Sequence, residues 1–262
     1  MKQPKFVSGP PGTGKTHIYL IDKYKELLKK YSPEKIIMLS HTNVAADELK
    51  DAILKLPEMI ERGLRKKFFK YKICTIHAFC KSKLLKKELI TYADYLNLCA
   101  ENSGFKAQRV TQSEFDNDKH KFFKFLSDSF GQGRTIKEHW NSLRETSSNY
   151  YPYNNFRMIY EMKEVYDNYK KVNQVCDYND MIKDFIDHAV VPDIDVLIVD
   201  EAQDSNVPQI KALEKMSTNV KEYYMVGDAD QTIFEFAGAN ADYFHKLSKD
   251  AEQLEDGLRC GE

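Results

Sequence analysis

Gly9-Pro10-Pro11-Gly12-Thr13-Gly14-Lys15-Thr16 fits G-x-x-x-x-G-K-[ST], and its flanks decide what that pattern means. Before it stands a short apolar run, Phe6-Val7-Ser8, suited to a strand end. After it come Ile18, Leu20, Ile21, Tyr24, Leu27 and Leu28 at helical spacing. A strand, a glycine-rich turn and a helix in that order form a phosphate-binding loop. The glycines let consecutive N–H groups converge on an anion at the helix N-terminus. The whole segment from Gly9 to Thr16 is therefore the expected phosphate cradle. Lys15 would reach the β- and γ-phosphates, and the Thr16 hydroxyl would ligate Mg²⁺. The loop points to a nucleotide and leaves open what the nucleotide is used for.

Working outward, residues 35–40 form an apolar run fit for a buried parallel strand. Residues 43–56 have helical periodicity, with Pro57 as the expected stop. Residues 72–76 read as a third strand, with a helix from His77 onward. This β-α alternation predicts a parallel-sheet α/β domain with right-handed crossovers. Between about 84 and 175 the rhythm breaks. That stretch is predicted as an inserted helical subdomain with helices at 84–102, 113–130, around Trp140 and at 156–172, without a buried strand. The sheet resumes at 194–199 and 221–226, separated by a helix at 206–216, and a last helix is expected at about 239–247. The expected division is an α/β domain at 1–83 and 176–262, with the helical insertion at 84–175.

The chain has 262 residues, 39 Lys and Arg against 40 Asp and Glu, and a formal net charge of −1. Such a balance gives no overall polyanion-binding signature, so any basic surface has to be local. No segment matches a membrane span, and the start of the chain carries no apolar signal region, so a cytoplasmic location is expected. The cysteines at 74, 80, 99, 176 and 260 show neither C-x-x-C pairing nor metal-ligand spacing and read as reduced thiols. The basic, aromatic run from Arg62 to Lys72 allows two readings. It either tracks a phosphate backbone or is a solvated face with its aromatics in the core. His120, His139 and His188 read as ordinary surface or core histidines.

The apolar run at 194–199 ends in Asp200-Glu201. In a parallel sheet, strand ends gather at one edge, so this acid pair would face the phosphate loop. Asp200 would hold Mg²⁺ and Glu201 would polarise an attacking water.

Six segments carry a family resemblance. Asp200-Glu201-Ala202-Gln203-Asp204 and Val226-Gly227-Asp228-Ala229-Asp230-Gln231-Thr232-Ile233-Phe234 resemble motifs II and III of superfamily 1 DNA helicases of the UvrD/Rep type. Ser40-His41-Thr42-Asn43-Val44-Ala45-Ala46 looks like motif Ia, Thr75-Ile76-His77-Ala78-Phe79-Cys80 like motif Ib, and Leu254-Glu255-Asp256-Gly257-Leu258-Arg259 like motif IV. Asp177-Tyr178-Asn179-Asp180-Met181-Ile182 is similar to the Asp-rich segment that precedes motif II. The resemblance spans the chain and implies the family's first RecA-like domain with its helical accessory subdomain.

It further implies ATP with Mg²⁺ as cofactors, single-stranded or partly duplex DNA as partner, and a bacterial or phage setting. Gln231 would sense the γ-phosphate and Arg259 would stabilise the transition-state charge. His41, Thr42, Asn43 and His77 would touch the DNA strand, and Phe236 would stack a base. The sequence departs from the pattern where His41 replaces an aromatic, Val44 a lysine and Ala237 an arginine. Only eight residues precede the loop, which leaves no room for an adenine-reading motif. Motifs V and VI do not occur, so the resemblance implies an incomplete motor that needs a second RecA-like domain and turns ATP over slowly alone. The alternatives are a single-strand DNA-binding or regulatory helicase-like module, and a small-molecule kinase, against which Gln203 and the segment from Gly227 to Gln231 argue.

Overall fold

The computed structural model describes residues 2–8, 19–84, 87–107, 109–117, 120–146, 156–228, 244, 247 and 252–253. The chain divides into two compact units, Met1–Leu84 with Asp184–Glu262, and Leu85–Lys183.

In chain order, strand β1 (Lys5–Ser8) is followed by helix α1 (Leu20–Leu28), β2 (Ile36–Ser40), α2 (Asn43–Leu54), α3 (Pro57–Glu61), β3 (Ile73–Thr75) and α4 (Ile76–Ser82). The next elements are β4 (Glu88–Leu89), α5 (Tyr92–Glu101), α6 (Ser103–Ala107), α7 (Gln112–Asp116), α8 (Lys121–Gly131), α9 (Ile136–Thr146), α10 (Phe156–Asn173), β5 (Val175–Cys176) and α11 (Tyr178–His188). The chain then runs through β6 (Val196–Val199), α12 (Val207–Met216), β7 (Glu222–Gly227) and β8 (Glu252–Gln253). The last helix expected near 239–247 falls mostly outside the described residues.

Six strands form one sheet in the order β3-β2-β6-β7-β1-β8, and every pairing in it is parallel. The predicted parallel α/β class therefore holds. All four residues of β6 and all five of β2 are buried, as a strand covered on both faces requires. One face packs Val7, Ile36, Met38, Ile73, Val196, Ile198 and Val226 against Leu20, Tyr24 and Leu27 of α1 and Leu49 and Ile53 of α2. Those helical residues recur at three- and four-residue spacing, so each helix presents one apolar stripe to the sheet.

The run from Arg62 to Lys72 resolves toward the core reading for two of its aromatics. Phe69 is fully buried in this cluster and Phe68 packs against it. Lys66 is paired with Asp51 at 2.8 Å, and Tyr71 remains exposed.

Three boundaries and one strand correct the sequence expectations. The helix predicted through Leu56 ends at Leu54, and Pro57 opens α3 instead of only stopping α2. Proline fits the first turn of a helix because its fixed φ suits it and its missing N–H has no intrahelical partner there. The helix predicted at 84–102 is replaced by β4 and α5. Thr91 closes a capping box with Asp94 and starts α5 at Tyr92. The helix predicted at 113–130 is two helices, because Thr111 and Glu114 form a second capping box at α7 and α8 begins afresh at Lys121. The expected absence of a buried strand also fails: β5 is buried and pairs in parallel with β4.

The core of the helical unit is aromatic. Tyr95, Phe105, Phe122, Phe125 and Tyr166 are buried together with Ile159 and Met162, and Trp140 packs against them. Phe105 meets Phe122 edge-on at 5.1 Å, the tilted geometry that ring quadrupoles favour. His120 lies among these rings, 1% exposed. His139 is also buried and His188 is at the surface.

The turn from α10 to α11 is held by charge. The Lys170 ammonium lies 2.9 Å from Asp177, 2.8 Å from Asp180 and 4.4 Å from the centre of the Tyr166 ring. The Tyr166 hydroxyl donates to Asp177 at 2.9 Å. Burial alone would favour neutral lysine, but the two carboxylates overturn that and raise the Lys170 pKa above its ordinary value. The four described cysteines, Cys74, Cys80, Cys99 and Cys176, are buried thiols. Among the described residues no helix is long and apolar enough to cross a membrane.

Candidate active site

Because the strands run parallel, their carboxyl ends share one edge of the sheet. Ser8 at the end of β1 is in register with Gly227 of β7, and Val199 at the end of β6 with Met225. Leu39 of β2 faces Val199, and the Asp200 N–H donates to the Leu39 carbonyl at 2.8 Å. This edge thus gathers Ser8, the acid pair Asp200-Glu201, the strand end at Gly227-Asp228 and the start of the His41 segment.

Asp200 is 1% exposed, seated between neighbouring strand ends, whereas Glu201 is half-buried. Glu201 adopts φ 49° and ψ 44°, the left-handed region that costs a non-glycine residue about 1–2 kcal/mol. The turn that follows, Ala202–Asp204, holds it there: the Asp204 N–H donates to the Glu201 carbonyl at 3.0 Å. The left-handed backbone redirects the Glu201 side chain from the path a continuing strand would give it. Gln203, 4% exposed, donates from Nε2 to Glu201 Oε2 at 2.9 Å and accepts the Asp228 N–H on Oε1 at 3.2 Å. Asp204 is pushed up to about 6, first by burial and then by the charge of Glu201.

The residues expected to touch nucleic acid start the two helices that follow β2 and β3. Thr42 caps α2 by accepting the Ala45 N–H at 3.2 Å, and Thr42 and Asn43 are exposed. Thr75 caps α4 in the same way, which places His77 in its first turn. His41 sits beside the acid turn, its Nε2 3.0 Å from the hydroxyl of Ser205. That contact occupies one ring nitrogen with protein. The acid pair, His41 and Gln203 are therefore brought together, while Thr42 and Asn43 face solvent. Gly9, Pro10, Pro11, Gly12, Thr13, Gly14, Lys15, Thr16, Gln231, Phe236 and Arg259 lie outside the described residues. Ser205 and Gly227 had no assigned role in the sequence reading. Their partners are far away in the chain, and only the position of Gly227 at a strand end hinted at one.

Among the described residues no cluster of three or more His, Cys, Asp or Glu could hold a metal by itself. Asp200, a buried carboxylate at the end of β6, is a group of the kind that could hold Mg²⁺, which takes one or two carboxylates and completes its shell with phosphate and water.

Burial pushes the His41 imidazole down to about 4, with His77 adding to the effect, and burial pushes His77 down to about 4 as well. Unfolded, both would titrate near 6.5. Between those values the unfolded chain binds more protons, so folding stability falls as pH drops from 6.5 toward 4. Asp204 opposes this: raised to about 6, it keeps its proton in the fold, and its contribution is lost as pH rises through 6. Two groups against one leave a net loss of stability on acidification between pH 6 and 4, and His120, also pushed down to about 4 by burial, adds in the same direction. Urea unfolding followed by circular dichroism at pH 7 and pH 5 should show the lower midpoint at pH 5. The shift should shrink in His41→Gln, and a midpoint that rises on acidification contradicts the assignment.

The fold and this edge define the class: a RecA-like parallel α/β domain, interrupted by a helical unit and carrying an acid pair at a central strand end. The chain belongs to the UvrD/REP helicase family, whose N-terminal domain model matches residues 1–252. It is 27% identical to the ATP-dependent DNA helicase Rep of Buchnera aphidicola subsp. Baizongia pistaciae, over 97% of this chain and 38% of that protein. It is 26% identical to a probable DNA helicase II homolog of Mycoplasma pneumoniae, over 91% of this chain and 34% of the relative. For the ATP-dependent DNA helicase PcrA of Staphylococcus aureus the identity is 23%, over 94% and 34%. The chain therefore spans little more than a third of the length of these relatives.

Proposed function

We propose that the chain is the ATP-binding motor domain of a DNA helicase or translocase, coupling ATP hydrolysis to movement along single-stranded or partly duplex DNA. The observation that carries this reading is the convergence of Asp200-Glu201, Gly227-Asp228 and Ser8 on one sheet edge. In the proposed reaction Glu201 accepts a proton from the attacking water. The water oxygen bonds to the γ-phosphorus, and the bond to the β-phosphate oxygen breaks to release ADP and phosphate. Asp200 and the Thr16 hydroxyl would hold Mg²⁺, which supplies charge neutralisation at the phosphates. Lys15, Gln231 and Arg259 are the proposed groups around the γ-phosphate. His41, Thr42, Asn43, His77 and Phe236 are the proposed DNA contacts, with Phe236 offering a sequence-tolerant stacking face. A second RecA-like domain, from further sequence or another protein, would complete the nucleotide cleft, and residues 84–175 would be the accessory subdomain.

The test is titration of the chain with a fluorescent ATP analogue, with and without Mg²⁺ and oligo(dT), alongside single-turnover hydrolysis. Lys15→Ala removes the cation aimed at the phosphates and should weaken binding by about 10-fold or more, since a charge-assisted contact is worth roughly 1.5–3 kcal/mol. DNA binding that persists in Lys15→Ala and Glu201→Gln, with no hydrolysis in the parent even when a second RecA-like domain is supplied, would overturn the motor reading in favour of a binding module.

A further inference from the structure

The Gln203 amide is held between two groups that each accept only one of its ends. The Glu201 carboxylate can only accept, and it takes a hydrogen from Nε2 at 2.9 Å. The Asp228 N–H can only donate, and it meets Oε1 at 3.2 Å. Turning the amide over would set oxygen against carboxylate and N–H against NH₂, so the two partners fix its orientation. The side chain is 4% exposed, and a buried polar group in such a place has no water to fall back on. The approach of the two strand ends is just as constrained. Gly227 is 1 residue before the donor, and a Cβ there would collide with Gln203 Oε1 and press on the Ala202 backbone N–H. The turn bearing Glu201 and the end of β7 are thereby linked across 25 residues of sequence through one amide.

We infer that Gln203 is a positioning residue: its amide holds the Glu201 carboxylate in the orientation needed to receive a proton from water, and ties that orientation to the backbone at Gly227-Asp228. This rests on the proposed role of Glu201 and goes beyond it. Glu201 starts from a left-handed backbone and is half-buried. Its own backbone therefore does not select one side-chain orientation, and the Gln203 bond does. Any displacement of the β7 end is passed to the base through the same amide.

The experiment compares Gln203→Leu, Gln203→Glu and Gly227→Ala with the parent chain. The readouts are single-turnover ATP hydrolysis across pH 6 to 8, nucleotide affinity, and hydrogen exchange at the Asp228 amide. Gln203→Leu keeps the bulk and loses both bonds. It should lower the hydrolysis rate by about 10–100-fold, as a base displaced by an ångström does, with nucleotide affinity changed by less than about 3-fold. Exchange at Asp228 should accelerate. Gly227→Ala should reproduce this pattern by displacing the amide from the other side.

Gln203→Glu separates positioning from mere support. Ionised, its carboxylate repels Glu201. Protonated, its hydroxyl donates to Glu201 and its carbonyl accepts from Asp228, as the amide does. The ratio of its rate to that of the parent should therefore rise as pH falls from 8 to 6. A Gln203→Leu rate equal to the parent's, or a Gln203→Glu ratio flat with pH, overturns the inference and leaves the proposed function standing. A parent chain that neither binds nor hydrolyses ATP even when a second RecA-like domain is supplied overturns both. Asp228 exchange that is equally fast in the parent and Gln203→Leu removes the bridge itself.

Discussion

Glu201→Gln is expected to lower single-turnover ATP hydrolysis by about 10²–10⁴-fold, the usual contribution of a positioned general base, while nucleotide affinity stays within about threefold. Glutamine preserves the size of the side chain and can still meet the Gln203 amide, so the fold around the turn should survive. What disappears is the ability to take a proton from water. The expectation depends on geometry as well as residue type. Glu201 leaves the end of β6 in a left-handed conformation and is fixed by Gln203 at 2.9 Å, whereas Asp200 beside it is 1% exposed and follows the strand. Two adjacent carboxylates are thus given different environments, one accessible to a water and one enclosed, which suits a base and a metal ligand respectively. Radiolabelled ATP with protein in excess measures the chemical step directly. A rate within about threefold of the parent would remove Glu201 from the role of base.

The second large effect is on stability, in the helical unit. Lys170→Met should destabilise that unit by about 1–3 kcal/mol, between a surface ion pair and a fully buried one, because the two carboxylates it leaves are half-buried. The Lys170 side chain is 11% exposed and lies within 3 Å of both Asp177 and Asp180. Asp177 is pulled below the ordinary carboxylate range although burial opposes it, because Lys170 faces it. Asp180 is raised, by burial and by Asp177. Removing the lysine leaves two half-buried like charges side by side. The combined variant Lys170→Met, Asp177→Asn, Asp180→Asn should recover a large part of the loss, since an ion cluster removed whole costs far less than one removed in part. Trp140, the one tryptophan of the chain, lies in this unit, so its fluorescence during urea unfolding reads the effect. A loss below about 1 kcal/mol would class the cluster with weak surface ion pairs.

Much of the fold is legible in the sequence because β2 and β6 are buried on both faces and so read as unbroken apolar runs bounded by charge. The helices packed on the sheet are equally plain, since Leu20, Tyr24 and Leu27 keep a 3.6-residue period. The helical unit is less legible. Its elements are short, and its boundaries are set by caps: Thr91 with Asp94, and Thr111 with Glu114. Those threonines sit inside stretches whose periodicity alone reads as continuous helix. The two-residue strands β4 and β5 have no pattern of their own to detect, being defined only by pairing with each other across the unit.

The candidate site divides along the same line. The sequence by itself determined the residue types, namely the glycine-rich loop, the acid pair after an apolar strand, and the short motifs that mark the helicase family. It could do so because each is a local pattern whose chemistry depends on neighbours in the chain. The tertiary structure alone decided how those residues are held. Ser205 meets His41 across 164 residues, and Gln203 meets Asp228 across 25. Periodicity carries no trace of such contacts, because they arise only when parallel strands bring their carboxyl ends to one edge and buried polar groups there have to find partners in each other.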